Sequence, residues 1–133
     1  MNVLGIELSK LRSDYLRAEG IKCINSDLCN TGISDKSHNV AICQEVLEHV
    51  ANPLLVMNEI NRVLDMDGLL FITVPVGKYC DCSTHVRHFN QDNLYTLIKK
   101  SGFDIINMIY IPYVNWNNDN NFFVAAKKVE DII

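Results

Sequence analysis

Apolar and polar residues follow one another along this chain in blocks. Val40-Ala41-Ile42-Cys43 and Leu69 to Val74 are continuous apolar runs, the pattern of strands buried on both faces. Pro75 stops the second run, because proline cannot donate to a sheet ladder. Between the runs, Leu54, Met57, Ile60, Val63 and Leu64 recur at helical spacing, and Asn58, Glu59, Asn61 and Arg62 are predicted to face away. Asn52-Pro53 suits the start of that helix, with Asn as cap and Pro where no backbone donor is needed. Asp67-Gly68 predicts a tight turn before the second strand. Strand, helix and strand make a βαβ crossover, which is almost always right-handed.

The same pattern extends in both directions. Val3 to Ile6 is a short apolar run closed by Glu7. Ser9 caps a predicted helix with Leu11, Tyr15 and Ala18 on one face and Gly20 as its stop. Ile21 to Ile24 is a further strand candidate, followed by Asn25-Ser26-Asp27-Leu28. After the crossover, Asn90 caps a helix carrying Leu94, Leu97 and Ile98, and Lys99-Lys100 suit its negative end. Gly102 ends it. Phe103 to Val114 reads as a strand with an irregularity at Pro112, Asn115 to Asn121 as a hairpin connection, and Phe122 to Lys127 as the return strand.

Composition narrows the class. The 133 residues suggest one domain, and 48% hydrophobic content is enough for a core. A formal net charge of −4 offers no basic footprint for nucleic acid. No apolar run reaches the ~18 residues of a membrane span, and Met1 to Gly5 lacks the pattern of a signal peptide. A cytoplasmic protein is the default expectation. Five cysteines without a scaffold spacing point to reduced thiols.

The segment CQEVLEHVANP, then NEINRVLDMDG, then LLFITVP resembles the fourth-to-fifth-strand region of class I S-adenosylmethionine-dependent methyltransferases of the small-molecule type. The closing K-x-SGF…NFFVAAKK is similar to the terminal hairpin of that family. The resemblance runs from Val3 to about Lys128 and implies an α/β fold. That fold is a Rossmann-like, mostly parallel sheet with helices on both faces and a C-terminal antiparallel hairpin. It implies S-adenosylmethionine as cofactor and a small-molecule methyl acceptor as partner.

Site residues follow from the same resemblance, position by position. Glu7 matches the acid that ends the second strand and holds the ribose; an ionised carboxylate is acceptor-only and can take both hydroxyls. The alternative is a solvated glutamate opening a loop. Asp27 matches the acid near the adenine amino group, with Leu28 beside the base; the alternative for Asp27 is a turn aspartate. Gln44, at the carboxyl end of its strand, is the candidate for the methionine side of the cofactor. Glu48-His49 could act as a general base, but a role in orienting the loop is favoured, because methyl transfer needs proximity and orientation more than a strong base.

His85, Arg87, His88 and Phe89 resemble the H-x-R-x-F segment that lines the acceptor side. His85 and His88 are candidates to take a proton from an acceptor hydroxyl. Arg87 could hold a carboxylate or phosphate, and Phe89 would contact substrate or staple the next helix. Cys80, Cys82, His85 and His88 together could ligate zinc, but their spacing is more compact than usual ligand patterns, so no metal is expected there. Trp116 and Tyr113 could bound a pocket, or simply pack.

One departure from the family is visible. Only six residues precede Glu7, so the first strand and its glycine-rich turn, which lie about 20 residues before that acid, are not in this sequence. In the family strand order 3-2-1-4-5-7-6 that strand is central. The domain is therefore expected to be N-terminally incomplete over residues 1–133. Three outcomes stand open: the missing segment is encoded upstream, Val3–Ile6 pairs directly with Val40–Cys43, or a partner chain or second copy fills the gap. Besides an enzyme, the sequence admits a non-catalytic methyltransferase-like module. Dinucleotide binding shares the strand-end acid, but the LEHV-to-RVL segment and the terminal hairpin argue against it.

Overall fold

The structure is a computed structural model that describes residues 3–76, 83–112 and 120–132. Cys80, Cys82, Tyr113 and Trp116, on which the zinc-ligand and pocket readings depend, lie outside the described residues.

The chain order is β1 (Gly5–Glu7), α1 (Lys10–Ala18), β2 (Cys23–Asn25), β3 (His38–Gln44), α2 (Pro53–Val63), β4 (Leu64–Pro75), α3 (Gln91–Lys100), β5 (Phe103–Ile111) and β6 (Asn121–Lys128). The expected α/β architecture is present, in two sheets. β1 and β2 pair in parallel, with Glu7 opposite Asn25. The other sheet has the order β3-β4-β6-β5, with β3 and β4 parallel and β6 antiparallel to both of its neighbours.

The expected direct pairing of Val3–Ile6 with Val40–Cys43 is one alternative that the structure overturns. Among the described residues β1 pairs with β2 and β3 with β4, and neither pairs with the other. Within each sheet the strand neighbours match part of the order that the resemblance implies, β2-β1 as 3-2 and β3-β4-β6-β5 as 4-5-7-6. The edge of β3 is apolar and open among the described residues, with Val40 at 48% and Ile42 at 74% exposure.

Three local expectations also change. Asp67-Gly68 does not separate α2 from a later strand; it sits inside β4, where the register jumps from His38↔Leu64 to Val40↔Leu69. Asp67 takes φ 68 there, so the turn chemistry of this pair produces a bulge instead of a strand boundary. Leu11 and Tyr15 of α1 are exposed rather than packed, since no described element covers that face. Glu59 and Asn61, expected to face solvent, are buried. The reason is tertiary, because each is committed to a segment distant in sequence. Glu59 Oε1 accepts from the Thr31 backbone N–H at 2.8 Å and from its hydroxyl at 2.6 Å. Asn61 Nδ2 donates to the carbonyls of Ser101 and Glu130, both at 2.9 Å.

The caps agree with the sequence. The Ser9 side chain accepts from the N–H of Arg12, that of Asn52 from Leu54, and Asn90 forms a reciprocal capping box with Asn93. Gly102 follows α3 at φ 78, and a Cβ there would stand 2.7 Å from both Asn61 Nδ2 and the Glu130 carbonyl. The core lies between β4 and β6 on one side and α2 and α3 on the other, with Leu64, Leu70, Ile72, Val74, Leu94, Ile98 and Phe103 fully buried.

Candidate functional site at the carboxyl ends of the strands

Ligands of open α/β sheets lie beyond the carboxyl ends of the strands, and several of the sequence candidates are found there. Glu7 ends β1, and its Oε1 accepts the N–H of Ser9 at 2.8 Å. Its backbone carbonyl receives the side chain of Asn25 at 2.9 Å, which ties the ends of β1 and β2 together. Asp27 follows β2, is exposed, and accepts the N–H of Cys29 at 2.8 Å, the local bond of an Asx turn. Leu28 is partly buried against the main core. Gln44 ends β3 and is exposed.

Immediately after Gln44 the chain turns sharply. Glu45 has φ 51. Its carboxylate receives Thr73 Oγ1 and Asn121 Nδ2, both at 2.9 Å, and its N–H donates to the Thr73 carbonyl at 3.0 Å. Glu45 thus anchors the turn to β4 and β6. No local sequence pattern announces this role, because both partners are remote in the chain.

The turn 45–51 and the loop 83–89 are stitched to each other. Val86 N–H donates to the Glu48 carbonyl at 2.9 Å. His49 Nδ1 is 3.1 Å from the Thr84 carbonyl. Arg87 donates through Nε and Nη2 to the Val50 carbonyl at 3.2 and 2.8 Å, and through Nη2 to the Ala51 carbonyl at 2.6 Å. The guanidinium considered for substrate recognition is engaged on backbone carbonyls. Phe89 is 4% exposed, belongs to the core, and bridges to Val76.

His85 and His88, which the sequence reading grouped as proton acceptors, occupy different surroundings. The ring of His85 meets His49 edge-on, with centroids 4.6 Å apart. His88 is exposed and lines a shallow cleft with Pro53, Asn93 and Thr96. Glu48, by contrast, is 1% exposed, and burial pushes its carboxyl pKa up to about 7. Burial likewise raises the Cys43 thiol to about 12, and its side chain belongs to the hydrophobic core.

The family model described as "Methyltransferase domain" matches residues 1–72. No curated protein matches. Among solved structures, a SAM-dependent methyltransferase from Methanosarcina mazei superposes with a TM-score of 0.82 at 15% identity, covering 96% of this chain and 82% of that one. The 1,6-didemethyltoxoflavin-N1-methyltransferase of Burkholderia thailandensis, solved with bound 1,6-didemethyltoxoflavin and S-adenosylhomocysteine, gives 0.79 at 15%, covering 97% of this chain and 62% of that one. The cyclase SpnF gives 0.81 at 16%, covering 97% of this chain and 66% of its own. That a cyclase shares the fold shows that the fold alone does not name the reaction. The match over residues 1–72 makes this chain a member of the methyltransferase-domain family, folded like the S-adenosylmethionine-dependent methyltransferases.

Proposed function

We propose that this domain binds S-adenosylmethionine along the carboxyl edge of its sheet and transfers the methyl group to a small-molecule acceptor. The observation that carries the reading is the pair of acids, Glu7 and Asp27, following two adjacent parallel strands in a chain of this family. Glu7 spends one acceptor position on Ser9, and a carboxylate has about four, so capacity for both ribose hydroxyls remains. Asp27 and Leu28 would flank the adenine, and Gln44 the methionine side. The acceptor oxygen, nitrogen or carbon attacks the methyl carbon as the carbon–sulfur bond breaks, and the sulfur keeps the electron pair. Orientation in a dry cleft supplies most of the acceleration. His85 and His88 are the candidates to take a proton, and Arg87 and Phe89 shape the acceptor side, Arg87 by holding the loop.

A second reading has its own support. The edges of β1 and β3, unpaired among the described residues, fit a methyltransferase-like module that binds or assembles without catalysis. Under either reading, residues 1–133 act as one cytoplasmic domain, and the edges of β1 and β3 that are unpaired among the described residues are open to a second copy or another subunit.

Calorimetric titration with S-adenosylhomocysteine, on the chain and on Glu7→Ala, tests the enzyme reading. Micromolar binding that the variant loses supports it. A folded chain that binds nothing favours the module.

A further inference from the structure

We propose that Glu48, His49 and His85 hold a divalent transition-metal ion at the junction of the 45–51 turn and the 83–89 loop. One ligand atom from each of the three residues lies within 4.8 Å of the others, although they come from two segments separated by α2 and β4. Proximity alone would carry little. Two further observations point to a cation.

Glu48 is 1% exposed, and neither of its carboxylate oxygens has a hydrogen-bond partner among the described residues. A buried carboxylate with no well-formed hydrogen bond is costly to keep charged, and a bound cation is a complement that keeps it ionised. The ring of His49 is also prepared. A carbonyl oxygen can only accept, so the Thr84 carbonyl 3.1 Å from His49 Nδ1 places the proton on Nδ1. Nε2 is left with its lone pair, 3.8 Å from Glu48 Oε1. Metal-bound histidines commonly donate their other ring N–H to such a carbonyl, which fixes tautomer and ring orientation together.

The donor set selects the ion class. Two imidazoles and one carboxylate suit Zn²⁺, Mn²⁺ or Fe²⁺ better than Mg²⁺ or Ca²⁺, which prefer all-oxygen sites. Bonds of about 2.1 Å around a tetrahedral ion set donors roughly 3.4 Å apart. The Glu48–His49 spacing of 3.8 Å is close to that, and the His85 ligand atom lies within 4.8 Å of both. Three protein ligands leave at least one position for water or an oxygen of a bound molecule. This donor set differs from the Cys80, Cys82, His85 and His88 combination considered from sequence, where no metal was expected. It shares only His85 with that combination.

The site follows Gln44 at the carboxyl end of β3. Resting on the methyl-transfer reading, this position selects a hydroxyl-bearing acceptor. An ion held there would lower the pKa of a coordinated hydroxyl; with His85 then serving as a ligand, the proton would go to His88 or solvent, and the oxygen would bond to the methyl carbon as the carbon–sulfur electron pair stays with sulfur.

The test uses tag-free, chelator-stripped protein. Mn²⁺ is titrated while the electron paramagnetic resonance of the free ion is followed, and Zn²⁺ is measured by equilibrium dialysis. One ion per chain is expected, with affinity falling at least about tenfold in Glu48→Gln and in His85→Ala but not in His88→Ala. His85 sits on a surface loop, so its variant reports even if Glu48→Gln fails to fold. Absence of saturable binding, or binding that both variants retain, overturns the proposal. S-adenosylhomocysteine titration of the stripped protein reads the cofactor site separately, so loss of either site is distinguishable from loss of the other.

Discussion

The ammonium of Lys128, at the end of β6, donates to the Asn61 carbonyl at the end of α2 at 2.8 Å, in a side chain with no exposure. The same Nζ donates to the Leu64 carbonyl at 2.9 Å and meets Asp131 at 2.7 Å. A buried cation therefore satisfies the carbonyls where α2 hands over to β4 and favours the negative end of the helix. Lys128→Met keeps the stem but strands two buried acceptors, which costs about 2–3 kcal/mol. Chemical denaturation checks this, with the variant expected to unfold at clearly lower urea concentration at an unchanged m-value. A loss within error would mean that water replaces the ammonium.

Glu59 gives the fold an acid-sensitive joint. Arg62, first, and then the hydrogen bonds from Thr31 hold its carboxyl at about 2, well below its ordinary 4.5. A depressed folded pKa contributes stability above the unfolded value, and the contribution is lost as pH falls from about 4.5 toward 2. Glu59→Gln should cost on the order of 2 kcal/mol at pH 7. The gap between wild type and variant should narrow steadily in urea melts at pH 4.5, 3.5 and 2.5. A gap independent of pH would assign the effect to packing.

Arg87 separates a structural from a substrate-binding guanidinium. Its bonds to the Val50 and Ala51 carbonyls predict that Arg87→Ala loses roughly 1–2 kcal/mol and accelerates amide exchange in residues 83–89. Arg87→Lys should restore little, since an ammonium lacks the fork that reaches two carbonyls. Unchanged exchange in both variants would shift Arg87 to a role with ligand.

The open edge of β3 predicts self-association. Val40 and Ile42 present exposed apolar side chains beside backbone that is unpaired among the described residues, the arrangement that recruits other strands. Sedimentation velocity of the chain should show concentration-dependent species, reduced in Ile42→Lys without loss of thermal stability. A strictly monomeric wild type would remove this expectation.

The amino-acid pattern by itself determined the elements. Apolar blocks marked β3 and β4, helical spacing marked α2, and Ser9, Asn52 and Asn90 marked three helix starts, because these signals act within a few residues. The ordered EVLEH-to-RVL and NFFVAAKK segments likewise carried the family. Tertiary structure decided what depends on distant partners. Glu59 and Asn61 fall on the polar side of a helical wheel, yet they are buried because Thr31, Ser101 and Glu130 arrive there. Whether β1 would meet β3 was undecidable from two short apolar runs, since both are equally able to pair; in the fold each pairs elsewhere. Glu48-His49 was visible as a dipeptide and His85 as part of a motif. Only the docking of the 83–89 loop on the 45–51 turn brings His85 to the pair and leaves the buried Glu48 carboxylate without a well-formed hydrogen bond among the described residues. Local spacing encodes elements, but buried polar chemistry is set by which segments the core forces together.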